Sequence, residues 1–147
     1  KGEYADANNQ QDDLAYISSN IPYRMDDHGN DPSTATLLIA NLSGTVDSLD
    51  NFGIIENRTD KDVFKFTTTG GNVNLKITPK PKLVPNSIAN LDIQARLLDA
   101  SGTEIIKVDP ALVLTTVSLT QNLTAGTYYL EIDGVGYGTP LSTGYSD

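Results

Sequence analysis

Hydrophobic and polar residues alternate with a period of two in several short runs of this chain. Phe64 and Phe66 flank Lys65, and Val73, Leu75 and Ile77 are separated by Asn74 and Lys76. Leu91, Ile93, Ala95 and Leu97 repeat the pattern, as do Tyr128, Leu130 and Ile132 between Tyr129, Glu131 and Asp133. A strand sends successive side chains to opposite faces, so each run predicts a strand with one buried face. Leu37-Leu38-Ile39, Ile105 to Val108, and Val117 with Leu119 add further short strands. The breaks between them carry turn residues: Gly70-Gly71, read as the turn of a hairpin, and Asp99-Ala100-Ser101-Gly102. Pro79, Pro81 and Pro85 make 79–90 a loop, because proline cannot donate to a sheet ladder. Seven or eight strands at this spacing predict an all-β fold, a two-sheet antiparallel β-sandwich. Phe64, Phe66, Val73, Leu75, Ile77, Leu91, Ile93, Leu97, Tyr128, Leu130 and Ile132 are its expected core, with Lys65, Lys76 and Glu131 facing out.

The first 25 residues break this pattern. Asp12-Asp13-Leu14-Ala15-Tyr16-Ile17 reads as one short helix, while Asn8, Asn9, Asn20 and Pro22 interrupt what surrounds it. Residues 1–25 are therefore expected to be an irregular extension on a sandwich built from 26–147. The tail 134–147 is rich in glycine and shows no strand pattern, so one sheet edge is expected to lack its last strand. A length of 147 residues suits a single core.

Charge adds an asymmetry. Residues 1–62 hold twelve acids and four bases, whereas 63–147 hold seven acids and six bases. Nucleic acid is an improbable partner, since its phosphates would meet like charge in the first part and no basic stripe in the second. The absence of cysteine excludes disulfides, thiolate catalysis and Cys-based zinc sites. No apolar run reaches the length of a membrane span. Lys1 is not an initiator, so the chain is read as a piece of a longer protein.

The acidic half places Asp26-Asp27-His28-Gly29-Asn30-Asp31 about thirty residues before Asp60-Lys61-Asp62, which leads directly into the Phe64 and Phe66 strand. Calcium takes six to eight hard oxygens, and two acidic turns at one rim of a sandwich supply carboxylates and carbonyls together. Asp27, Asn30, Asp31, Asp60 and Asp62 are the candidate ligands. The other reading of the same aspartates is that they form turns by bonding their own backbone. No EF-hand loop is present. His28 is the only histidine, and nothing around Ser33, Ser43 or Ser101 resembles a nucleophile elbow, so no catalytic residue is assigned.

Asp60-Lys61-Asp62-Val63-Phe64-Lys65-Phe66, Asn90-Leu91-Asp92-Ile93, Leu97-Leu98-Asp99-Ala100-Ser101-Gly102 and Leu123-Thr124-Ala125-Gly126-Thr127-Tyr128-Tyr129-Leu130 resemble, in order, the bacterial pre-peptidase C-terminal domain. The resemblance runs from about Asp26 to Asp133. It implies a jelly-roll-like sandwich at the C-terminal end of a secreted peptidase, usually carrying a final strand after the last motif. It also implies calcium, which clostridial collagen-binding members hold between an acidic N-terminal segment and the turn before the matching strand. This chain departs from them upstream, where Asp-Asp-His-Gly-Asn-Asp replaces a Glu/Asn-rich run. The stretch Lys1 to Asn9 with Gln11-Asp12-Asp13-Leu14 is similar to the sequence just past the catalytic part of reprolysin-like zinc metallopeptidases. Their HExxH zinc helix does not occur here.

The function implied is a non-catalytic C-terminal accessory domain of a secreted bacterial metallopeptidase, stabilised by calcium, which positions the enzyme on substrate or assists its secretion and maturation. Its expected partners are a protein or polysaccharide substrate or the parent catalytic domain, and its expected state is monomeric and extracellular. Tyr129, on the face opposite Tyr128, and Tyr137 and Tyr145 in the tail are candidates for a ligand platform that stacks on a sugar ring or a collagen-like peptide. Packing against the catalytic domain explains exposed tyrosines equally well. A carbohydrate-binding module and a chaperone-like pro-segment are the rival functions.

Overall fold

The computed structural model describes residues 13–80, 91–110 and 116–135. A short helix, α1 (Asp13–Asn20), precedes seven strands: β1 (Thr36–Leu37), β2 (Lys61–Thr68), β3 (Gly71–Ile77), β4 (Ile93–Leu98), β5 (Glu104–Val108), β6 (Val117–Leu123) and β7 (Gly126–Gly134). Five form one sheet in the order β1-β2-β7-β4-β5, and β3 pairs with β6 in a second. Every pairing is antiparallel except the parallel contact of β1 with β2. The fold is thus all-β with two packed sheets. No helix among the described residues is long and apolar enough to cross a membrane.

The period-two pattern explains the packing. Phe64 from β2, Ala95 and Leu97 from β4, and Tyr128 and Leu130 from β7 face Val117, Leu119 and Leu123 from β6 across one core. Leu97, Leu119 and Val117 are its most completely enclosed large side chains in this cluster. Phe66, Val73, Leu75, Leu91 and Ile132 pack against it but stay partly exposed. In β3 the inward residues are only half-buried, whereas β6 alternates fully buried with exposed positions. The difference follows from position, since β6 packs against β4 and β5 of the large sheet more closely than β3 approaches that sheet.

The hairpin expected at Gly70-Gly71 is not formed. β2 pairs with β7 and β3 with β6, so the chain crosses from one sheet to the other at this point. Both glycines have positive φ, 100° and 111°, a pair of consecutive conformations that residues with a Cβ rarely adopt. Two apolar faces in succession read the same in sequence whether they share a sheet or oppose each other across the core. The turn expected at Asp99 does join a hairpin, β4 to β5, and is closed by Asp99 Oδ1 accepting from the amides of Ser101 and Thr103 at 2.8 and 2.9 Å.

The expected register holds, with one correction. Glu131, assigned to solvent, is buried. It does point away from the core, but on that outer face its Oε1 accepts from Arg96 at 3.0 Å and from Lys61 at 3.3 Å. Lys76 is exposed and Lys65 half-buried. The helix expected at 12–17 is seen as Asp13–Asn20. Residues 1–12, the proline loop from 81 to 90 and the tail from 136 onward, including the edge expected to be unfinished there, lie outside the described residues.

Candidate metal centre

Strand parity builds the floor of the site. Asp60 and Asp62 share the alternation of Phe64 and Phe66, so both carboxylates turn inward where the core ends, and they are only 2% and 3% exposed. Two loops close over them. The Asp26–Asn30 turn lies along the start of β2, with the Lys61 amide donating to Asn30 Oδ1 at 2.6 Å and the Val63 amide to Gly29 O at 3.0 Å. The 52–57 loop is drawn in by the Glu56 amide donating to Asp60 Oδ2 at 2.7 Å and the Ile54 amide to Asp27 Oδ1 at 3.3 Å. Gly53 permits this approach, because a Cβ there would collide with Asp62 Oδ2.

Five carboxylates converge as a result. Asp26, Glu56 and Asp60 present ligand oxygens within 4.8 Å of one another, and Asp27, His28 and Asp62 form an adjoining group of the same span. Two oxygens on opposite sides of a calcium ion stand about 4.8 Å apart, so the spacing matches one coordination sphere. His28 is not a free ligand. Its Nε2 faces Phe52 O at 2.7 Å and so carries the proton, while Nδ1 lies 2.9 Å from Thr36 Oγ1 and its ring packs on Phe64 at 4.5 Å. The imidazole is therefore a bracket between the two loops and β1, and the remaining donors are all oxygen.

Those oxygens are short of partners. Both Oε atoms of Glu56, Oδ1 of Asp60 and Oδ1 of Asp62 are buried without a hydrogen bond. The exposed Arg24 reaches only 4.0 Å from Glu56 Oε1. Burial, the Asp60 carboxyl close beside it and the charges of Asp27 and Asp26 push Glu56 up to about 7. Burial, then Asp27, Asp60, Glu56 and Asp26, push Asp62 up to about 8. Buried unpaired carboxylates are costly unless they take up protons or a cation.

Of the ligands expected from sequence, Asp27, Asp60 and Asp62 are brought together. Asn30 sits behind them, its Oδ1 on the Lys61 amide and its Nδ2 donating to Asp26 Oδ2 at 3.3 Å. Asp31 lies apart. It caps its own turn through the Ser33 amide and hydroxyl at 2.8 and 2.5 Å, and these bonds hold its carboxyl below the usual range. The cluster also contains Asp26 and Glu56, which the sequence expectation does not include. Asp26 stood in the acidic run beside an equivalent neighbour, and Glu56 has no local signal except Gly53, which lets its loop descend onto Asp62. Tyr129 is half-buried on the outer face between Lys65 and Leu98, and Tyr137 and Tyr145 lie outside the described residues. Ring contacts among the described residues are His28 on Phe64 and Phe66 on Tyr128.

No family model matches the chain, and neither a curated protein nor a solved structure does.

Proposed function

We propose that this chain is a calcium-stabilised, jelly-roll-like β-sandwich that serves as a non-catalytic accessory domain of a secreted bacterial metallopeptidase. The observation that carries the calcium is the set of four buried carboxylate oxygens without partners, inside a cluster of five carboxylates drawn from three chain segments. An all-oxygen donor set of this charge suits a hard cation, and its number and irregularity favour calcium over magnesium, which demands a near-octahedral shell and keeps its waters. Asp26, Asp27, Glu56, Asp60 and Asp62 would hold the ion, with His28 and Asn30 fixing the loops behind them. The accessory role rests on the order of motifs from Asp60 to Leu130, and a non-catalytic reading agrees with a histidine bonded at both ring nitrogens.

An ion here adds to the hydrogen bonds that already join these segments. It would join the Asp26 turn and the Glu56 loop to the sandwich, ordering the lead-in when the protein reaches calcium-rich surroundings. Titration calorimetry of chelator-stripped protein tests this: calcium should bind, and Glu56→Gln with Asp62→Asn should abolish the heat. Retention of the chain on collagen or gelatin, but not on insoluble polysaccharide, would fit a domain that positions a peptidase. The reverse pattern would assign it to carbohydrate binding.

A further inference from the structure

We propose that the excursion from Leu37 to Phe52 is a docking surface for a protein whose contact face is apolar and rimmed by lysine or arginine side chains. All residues from 39 to 50 are exposed, so past Leu38, which packs on the core, this stretch leaves the core behind. It is nevertheless held in shape. The Asn51 side chain bonds both the amide and the carbonyl of Ile39, at 2.7 and 2.9 Å, and donates to Asp47 O at 2.7 Å. Ala40 bridges to Val46, and His28 holds the carbonyl of Phe52. A preorganised loop loses little freedom on binding.

What this scaffold presents is apolar. Leu42 is 110% exposed, Leu49 78%, and Leu37 and Phe52 63% each, with Ile39 beside them. Single exposed apolar residues need no explanation, but several on one short stretch do. Turn geometry does not require them. Asn41-Leu42-Ser43-Gly44-Thr45 repeats the construction of Asp99-Ala100-Ser101-Gly102-Thr103: the first side chain accepts from the third and fifth amides, and the glycines have φ of 79° and 81°. In the second copy of this turn the tip is Ala100. Leucine at position 42 is thus an addition to a turn that closes without it.

Charge selects the occupant. The excursion has no lysine or arginine, and its Asp47 and Asp50 stand exposed. A second copy docked through the same surface would set these carboxylates against their counterparts, whereas a basic rim meets them favourably. This inference does not depend on the cation.

The test uses the full chain and synthetic amphipathic helices with leucine on one face and lysine on the other. Controls carry glutamate for lysine, or serine for leucine. The leucine–lysine helix should bind and shift the amide resonances of 37–52. Leu42→Ser with Phe52→Ser should weaken it about tenfold or more, and Asp47→Asn with Asp50→Asn should remove most of its salt dependence. Both variants should melt with the native chain, since the altered side chains are exposed. Equal binding of either control helix, or shifts confined to other residues, would overturn the proposal. So would self-association in sedimentation that disappears in Leu42→Ser with Phe52→Ser, because the surface would then belong to a second copy.

Discussion

Glu56 and Asp62 carry the most unusual chemistry of any side chains described, and acid should act on them in the opposite sense to ordinary surface carboxylates. Without a cation, the folded state keeps protons on these groups up to about pH 7 and about pH 8, whereas their ordinary values are 4.5 and 3.8. The folded chain then binds more protons than the unfolded chain across that window, so stability falls as pH rises through it. Urea unfolding in chelator should show a lower midpoint at pH 8.5 than at pH 5. Calcium competes with those protons, and in its presence the fall should vanish or reverse. A flat profile in chelator would mean that these carboxyls are solvated. Gly53 acts at the same scale. Gly53→Ala should weaken calcium by displacing the 52–57 loop from Asp62, while the core strands keep their hydrogen-exchange protection. The sequence shows Asp27, Asp60 and Asp62 because each sits in an acidic turn, but Glu56 joins them only through the path of a loop, and no periodicity records such a path.

Among the elements, alternation is legible wherever one face of a strand is buried, and it locates β2, β3, β4 and β7 with the correct residues inward. It does not say which sheet a strand joins. The Gly70-Gly71 turn shows the limit, since a hairpin and a crossing between sheets both bury Phe66 and Val73 on the same core. Glu131 shows another limit: an outward charge is buried here because Arg96 and Lys61 flank it on neighbouring strands. Because Leu119 of β6 is fully enclosed in the core, Leu119→Ala should cost about 2–5 kcal/mol. Val73→Ala in half-buried β3 should cost clearly less. Thermal or chemical denaturation of the two variants checks the ranking, and equal losses would place β3 as deep in the core as β6.

At the scale of the whole molecule, the acidic first part of the chain and the nearly balanced remainder divide two tasks: one gathers carboxylates at the rim, the other supplies the sandwich that holds them close. Asp27 lies about thirty residues before Asp60 and Asp62 in sequence. A cation at that rim would couple lead-in and sandwich into one cooperative unit. The most direct test is thermal unfolding of the full chain at neutral pH, in chelator and at rising free calcium, beside Glu56→Gln with Asp62→Asn. The melting temperature of the native chain should climb with calcium, by the equivalent of about 2.7 kcal/mol at a hundredfold excess over the dissociation constant. The variant should ignore calcium and, relieved of two carboxyls that must take up protons to stay buried, melt above the native chain in chelator. A native melting temperature unchanged between chelator and calcium, with no heat of binding, would contradict a calcium-stabilised domain and leave the cluster as five carboxyls relieved by protons alone.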